Sequence, residues 1–235
     1  MNHTAYRMAR WAYQPVKQVK KLAIDLRAVN SRKSVIQEYL AAPGFKGLQI
    51  GSGEHNRPGW LNSDLPGTPG IDIGMDITDR LPFPDESFHA IYGSEVVEHI
   101  PKETVAPFLN EAFRILQKDG VLRLTTPDLT EVCRIFLDIS DACTVEQIST
   151  IWLDDKVLTK DIWINAMFRS WGHQYLWDFD SLKALLINAG FSKADLAEPQ
   201  ITRSKFPELA NQETRYGMPP PPFKWATSLI VEATK

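Results

Sequence analysis

Cysteine is scarce in this sequence, and long apolar runs are missing from it. The two cysteines, Cys133 and Cys143, are too few for a disulfide framework or a CxxC metal site. No apolar run approaches the roughly 20 residues that span a bilayer, and the N-terminus lacks the apolar stretch of a secretion signal. These absences predict a cytoplasmic protein with reduced thiols.

Charge is low overall but unevenly placed along the chain. The net charge of -3 gives no overall reason to expect a nucleic-acid partner. Residues 1–40 hold eight basic and two acidic residues, so this segment is +6 and the remaining residues are -9. Such an arm suits contact with an anionic partner or a membrane surface, or an amphipathic helix that packs on the domain and shows its bases to water.

The length of 235 residues suits one α/β domain with a large core. We expect a basic helical arm over residues 1–42 and the main domain over residues 43–235. Within that domain, residues 140–178 read as an insert that is largely helical and rich in aromatic side chains. These aromatics either pack a core or contact a substrate, as a lid or by stacking.

Short apolar runs alternate with helical patterns through the domain. Strands are predicted at 47–50, 60–64, 87–92, 121–125, 192–197 and 228–233, while 70–75 is ambiguous. Helices are predicted at 102–117, where Asp119-Gly120 forms the cap, and at 128–139 and 180–189. This alternation predicts a parallel sheet with helices on both faces, which binds ligands at the carboxyl ends of its strands.

Glycines and acids fall just after the predicted strands. Gly51 and Gly53 permit a tight turn, and Asp64 follows at the end of the second strand. A carboxylate there can accept hydrogen bonds from both hydroxyls of a ribose. Asp76 could accept from an adenine amine while the N–H of Ile77 donates to the ring. The alternative is that these are only turn residues.

A phosphate-bearing dinucleotide suits this pattern poorly. Its fingerprint needs a third glycine where Asn56 stands, and Pro58 interrupts a crossover too short for the phosphate-binding helix. S-adenosylmethionine carries no phosphate and needs no such helix. The residues therefore favour S-adenosylmethionine as the cofactor and disfavour a dehydrogenase.

Four segments resemble class I S-adenosylmethionine-dependent methyltransferases, in the order that this family has. Residues 47–65 (GLQIGSGEHNRPGWLNSDL) resemble the glycine motif and second strand, and residues 81–101 (LPFPDESFHAIYGSEVVEHIP) resemble a signature of the type 11 group. Residues 120–127 (GVLRLTTP) and 173–191 (HQYLWDFDSLKALLINAGF) resemble later segments of that group. The resemblance implies a Rossmann-like, mostly parallel seven-stranded sheet.

By this resemblance, ten residues are expected to hold the cofactor: Gln49, Gly51, Ser52, Gly53, Asp64, Leu65, Asp76, Ile77, Ser94 and Glu95. Gln49 and Ser52 depart from the commonest residues of the family, as does His89. These departures leave the expected fold unchanged, but they do not indicate which subgroup of the family the sequence resembles most.

The candidates for the chemistry are His99, His173 and Asp128, because methylation of a hydroxyl requires that a proton be removed. Glu95, Glu98 and His99 form an E-x-x-E-H pattern that could hold a divalent ion. The pattern resembles the metal motif of ubiquinone-biosynthesis and small-RNA 2′-O-methyltransferases. The favoured interpretation has no metal, with Glu98 and His99 holding the helix start.

The leading hypothesis is methyl transfer to a hydroxyl of a small molecule or a glycan. One alternative is a metal-assisted O-methyltransferase of a catechol or an RNA 3′ end. The other is an inactive methyltransferase fold that serves as a binding or scaffold protein, against which the intact glycines and acids argue.

Overall fold

The computed structural model describes residues 26–147, 159–199, 201–213 and 227–235. In these ranges the strands are β1 (Gly47–Ile50), β2 (Trp60–Asp64), β3 (Ile73–Gly74), β4 (Phe88–Ser94), β5 (Leu116–Pro127), β6 (Lys193–Leu196) and β7 (Ser228–Thr234). The helices are α1 (Leu26–Ala41), α2 (Lys102–Ile115), α3 (Leu129–Phe136), α4 (Lys160–Arg169) and α5 (Phe179–Asn188). Short 3-10 helices lie at Val97–His99 and Pro207–Leu209.

The strands form one sheet in the order β3-β2-β1-β4-β5-β7-β6. Strands β1 to β5 are parallel, and β7 runs antiparallel to both of its neighbours, β5 and β6. The predicted mostly parallel, seven-stranded α/β sheet is therefore confirmed. Because β1 to β5 run the same way, their carboxyl ends meet along one edge of the sheet.

Two predicted regions extend beyond the described residues. Residues 1–25 of the basic arm lie outside them, so the expected contact with an anionic surface falls mostly on undescribed chain. Residues 148–158 of the predicted insert also lie outside, and its described part contains α4. No helix in the described part of the chain is both long enough and apolar enough to cross a bilayer.

Most predicted element boundaries hold to within a few residues, and two differ for local reasons. The helix predicted to run to residue 117 ends at Ile115, because Leu116 already pairs with Phe88 as the start of β5. Residues 117–120 then bulge out of the ladder before the pairing resumes at Val121, so Asp119-Gly120 does not cap the helix. Helix α3 ends at Phe136, before Asp138 turns to a positive φ of 56°.

The main core lies between the sheet and α1, α2 and α5. Alternate residues of the central strands, such as Leu48, Ile91 and Leu124, pack there against Phe108 and Leu186. A smaller core joins α3 to α4, with the indole of Trp163 packed among its side chains. Part of the predicted aromatic insert is thus a packed core of its own.

A row of polar residues crosses the opposite face of the sheet. The strand register aligns Gln49 with Asn62 and Tyr92, Tyr92 with Arg123, and Arg123 with Glu232. All but Glu232 are almost fully buried. Buried polar groups must find hydrogen-bond partners, so something other than an apolar helix has to cover this row.

The cover is a segment that we call the strap, residues 201–213. No helix forms between β1 and β2, and the strap lays Leu209 and Phe206 over Trp60 and Tyr92. The guanidinium of Arg123 holds the strap and the chain before it. It donates to the carboxylate of Glu213 at 2.7 Å and to the carbonyl of Ile201 at 2.9 Å.

We predict that Glu213→Gln lowers the free energy of unfolding by about 3 kcal/mol. Arg123 and Glu213 are both fully buried. Removing one charge of a buried pair leaves the other charge buried without compensation. Chemical denaturation followed by circular dichroism measures this change.

The matched control is Arg203→Gln, which breaks an exposed pair with Glu198 and should change stability by less than about 0.5 kcal/mol. A Glu213→Gln variant as stable as that control would contradict the role given to the buried pair.

Candidate functional site

A cavity of about 260 Å³ opens where β1, β2, β3 and β4 end. It is lined by Gly51, Ser63, Asp64, Leu65, Met75, Asp76, Ile77, Glu95, Val96, His99 and Ile100. The structure therefore brings together six of the ten predicted cofactor residues and one predicted catalytic residue. Ser63, Met75, Val96 and Ile100 were not predicted. The last three carry no signal of their own, because each is an apolar side chain beside a polar motif.

The turn after β1 approaches the loop after β4 very closely. Gly51 has a φ of +61°, and a Cβ atom on it would stand 2.4 Å from Cγ2 of Val96. Only glycine satisfies both the backbone conformation and this contact. The predicted tight turn is thus present, and its backbone forms part of the cavity wall.

Asp64 is held in place by the turn that it faces. One carboxylate oxygen accepts from the N–H of Gly53 at 2.7 Å, and the other accepts from the N–H of Leu65 at 2.6 Å. The Thr68 hydroxyl also donates to the second oxygen, at 3.4 Å. A carboxylate has about four acceptor positions, so the oxygen that faces Gly53 can still accept from a ligand, and a ligand hydroxyl could replace the long bond from Thr68. This preorganised acceptor at the cavity fits a ribose diol, which offers two hydroxyl donors.

Asp76 and Ile77 also line the cavity, from the loop that follows β3. One carboxylate oxygen of Asp76 accepts from both the N–H and the hydroxyl of Thr78, at 3.0 and 2.7 Å. The N–H of Met75 donates to the carbonyl of Asp64 at 2.8 Å, which couples the two acidic residues through the backbone. Acids with apolar side chains between them suit a nucleoside, which has polar edges and a flat apolar face.

Four predicted cofactor residues lie behind this wall rather than on it. The amide of Gln49 donates to the carbonyl of His55 at 3.2 Å, and the backbone N–H of Ser52 donates to Ser63 at 3.0 Å. Gly53 acts through its hydrogen bond to Asp64, and Ser94 is buried in β4. The hydrogen bonds of Gln49, Ser52 and Gly53 thus hold the turn after β1 in place.

Glu98 is a fully buried carboxyl group just behind the cavity. One of its oxygens accepts from the Thr126 hydroxyl at 3.0 Å, while the other has no hydrogen-bond partner. Burial, together with the nearby charge of Glu95, raises the pKa of Glu98 well above its usual range. Thr126 was not predicted to take part, because only the tertiary fold brings β5 beside the 3-10 helix.

His99 and His173 meet beside the cavity, although 74 positions separate them. Their ring centroids are 5.0 Å apart, and Nε2 of His99 lies 3.6 Å from Glu98. Nδ1 of His173 lies 2.6 Å from the carbonyl of Met167, so this nitrogen carries the proton and Nε2 is left with its lone pair. Burial lowers the pKa of His173, which favours the neutral ring.

Asp128, the third catalytic candidate, caps a helix. Its carboxylate accepts from the N–H groups of Thr130 and Glu131, at 2.9 and 3.4 Å, at the start of α3. Burial raises the pKa of this carboxyl group. Asp128 is not among the residues that line the described cavity, and its hydrogen bonds are those of an ordinary N-cap.

The segment that holds most of these side chains is similar to a known protein family. Residues 63–124 match the family model described as a methyltransferase domain, of type 11. This match runs from the end of β2 to the middle of β5, so it spans Asp64, Asp76, Glu95 and His99. No curated protein sequence matches the chain.

Solved methyltransferase structures are similar to the chain at low sequence identity. One from Thermotoga maritima is 16% identical, with 94% of this chain and 96% of that chain covered and a TM-score of 0.48. One from Mesorhizobium loti is 15% identical, with 87% and 98% covered and a TM-score of 0.48. One from Archaeoglobus fulgidus is 13% identical, with 87% and 95% covered and a TM-score of 0.47.

The matched segment carries the residues around which the cavity is built. The sheet order, with its antiparallel β7 between β5 and β6, is that of class I methyltransferases. Residues 63–124 are thus similar to the methyltransferase domain, and the sheet as a whole has the Rossmann-like fold of such domains.

Proposed function

We propose that the chain transfers the methyl group of S-adenosylmethionine to a hydroxyl of a small molecule or a glycan. The observation that carries this proposal is the shared cavity, which is lined by Asp64, Asp76 and His99. A cofactor held by the acids would thus lie beside an imidazole. Bound S-adenosylmethionine supplies a methyl group already activated on a sulfonium sulfur.

The residues of the chain have two tasks in this reaction. Asp64 and Asp76 bind and orient the cofactor through carboxylates that the backbone and Thr78 hold in place. The His99 and His173 pair then takes the proton of the acceptor hydroxyl as its oxygen is methylated. Alignment of the hydroxyl with the methyl group is the larger contribution, since proximity replaces a bimolecular encounter.

A neutral imidazole suits a hydroxyl acceptor. His173 keeps a lone pair at Nε2 because Nδ1 donates to Met167, and burial favours its uncharged form. An amine acceptor would have less need of a general base, since its proton leaves more readily after methylation. The paired imidazoles therefore support O-methylation.

Location and surface contact form a smaller part of the proposal. Cys133 and Cys143 are both unpaired, which supports the reducing cytoplasm as the compartment. We also propose that residues 1–40 contact an anionic surface, and the support for this is the net positive charge of that segment alone.

We expect Asp64→Ala to weaken binding of S-adenosylmethionine at least tenfold. The loss of charge-assisted hydrogen bonds to the ribose should cost on the order of 1.5–3 kcal/mol. Isothermal titration with S-adenosylmethionine and with its demethylated product, S-adenosylhomocysteine, measures this effect.

The control is Glu103→Ala, an exposed acid in the first turn of α2, which should bind like the wild type. If the wild-type chain binds neither compound, the enzyme assignment fails and the scaffold alternative takes its place.

A second variant, His99→Gln, tests the proton transfer. General-base catalysis contributes about 10²–10⁴-fold, so kcat should fall within that range while the Kd of the cofactor stays unchanged. The measurement is release of S-adenosylhomocysteine with a panel of hydroxylated acceptors. A variant that keeps wild-type kcat would remove His99 from the chemistry.

A metal-assisted O-methyltransferase is the second candidate, and one specific observation favours it. Single ligand atoms of Glu98, His99 and His173 all lie within 4.8 Å of one another. The hydrogen bond from His173 to Met167 orients its ring as in many metal sites, and Oε1 of Glu98, which has no hydrogen bond, lies 3.6 Å from Nε2 of His99. Glu95, in the predicted motif, lines the cavity but is not part of this cluster.

Chelation separates the two candidates. If an ion is required, activity after treatment with EDTA should fall to background and return on addition of Mg²⁺, Mn²⁺ or Zn²⁺, and Glu98→Gln should abolish that rescue. If EDTA leaves kcat unchanged and titration detects no ion, the cluster serves only the metal-free reaction. Thr104→Ala, in the neighbouring helix α2, is the control and should respond to chelation as the wild type does.

A further inference from the structure

Trp171 is a large apolar side chain held at the surface in a constrained backbone. The residue is 49% exposed, and its φ of 55° lies in the left-handed region that bulky residues avoid. The next residue, Gly172, also has a positive φ, of 90°. An exposed indole and a left-handed backbone conformation do not stabilise the fold. Backbone outliers of this kind concentrate at functional sites.

Aromatic rings lead from Trp171 to the cavity. The ring of Trp171 lies 5.5 Å from that of His173, at an interplanar angle of 51°. His173 in turn lies 5.0 Å from His99 at an angle of 68°, and His99 lines the cavity. The exposed indole is thus two ring contacts away from the proposed cofactor site.

The segment that carries Trp171 is anchored on both sides. The N–H of His173 donates to the carbonyl of Ser170 at 3.0 Å, and the N–H of Gln174 donates to the carbonyl of Glu98 at 2.7 Å. A Cβ atom on Gly172 would lie 3.6 Å from Nδ1 of His99, so the backbone passes directly over that ring. Trp171 is therefore held in a set position relative to His99.

We propose that Trp171 is the binding platform for the methyl acceptor, and that the acceptor presents a flat aromatic ring to it. The ring stacks on the indole and directs its hydroxyl past His173 toward His99. This inference rests on the proposed function, and it narrows the acceptor from small molecules and glycans to phenolic compounds.

The chemistry of the path favours a flat aromatic ring over a sugar. Trp171, His173 and His99 offer aromatic faces and edges, which suit offset or edge-to-face contact with another ring. A sugar brings several hydroxyls, each of which needs a hydrogen-bond partner when it leaves water. The carboxyl group of Glu98, which lies 3.6 Å from Nε2 of His99, is fully buried and accepts from the Thr126 hydroxyl.

Fluorine NMR on the full chain labelled with 5-fluorotryptophan tests the platform. The chain has seven tryptophans, and Trp171→Phe identifies the resonance of Trp171 by its loss. With S-adenosylhomocysteine present, phenol should shift this resonance in a saturable way. Cyclohexanol has the same size and hydroxyl but no aromatic face, so it should leave the resonance in place.

The variants Trp171→Ala and Phe168→Ala complete the test. Phe168 is exposed to a similar degree, 43%, and lies at the end of α4. Trp171→Ala should raise the Kd for phenol at least tenfold, measured by saturation transfer, whereas Phe168→Ala should not change it.

The inference is overturned if phenol leaves the Trp171 resonance unmoved, if cyclohexanol moves it equally, or if Trp171→Ala binds phenol normally. Titration of S-adenosylhomocysteine into the same samples distinguishes failure of the acceptor platform from failure of the proposed function. If the cofactor binds normally but phenol does not shift the Trp171 resonance, only the platform is rejected. If the cofactor does not bind, the proposed function is rejected.

Discussion

The architecture depends on a buried guanidinium in the middle of the sheet. Arg123 of β5 forms ion pairs with Glu213 of the strap and with Glu232 of β7, and it also donates to the carbonyls of Glu198 and Ile201. A buried arginine is costly unless its donors are satisfied, and the strap with the chain before it supplies three of the four acceptors of Arg123. The strap occupies the face that a helix after β1 would otherwise cover.

The short connection between β1 and β2 has consequences on both faces of the sheet. On one face it leaves room for the strap. At the edge it keeps the glycine turn small, so that Gly51 touches Val96 and the N–H of Gly53 reaches Asp64. The connection is too short for a phosphate-binding helix. It forms instead the tight turn that lines the cavity, where a nucleoside without phosphate can bind.

The reactive groups are placed by long-range contacts rather than by local motifs. Gln174 donates to the carbonyl of Glu98, and this hydrogen bond draws the segment 170–174 over the 3-10 helix. His173 is thereby set against His99, and Trp171 is left facing solvent next to it. With two further hydrogen bonds, from the N–H of Tyr175 to Glu98 and from the side chain of Gln174 to the carbonyl of His99, this contact links the proposed base, the candidate metal cluster and the acceptor platform.

The sequence by itself determined the strands, the α/β class, and the acids and glycines at the strand ends, because apolar periodicity and turn residues are local signals. Asp64, Asp76 and His99 could be named on that basis. Only the tertiary structure decided that Gln49 and Ser94 lie behind the cavity wall and that Asp128 caps a helix. It alone brought Thr126 to Glu98 and Trp171 to His173, since these contacts join residues whose distance along the chain gives no information about their distance in space.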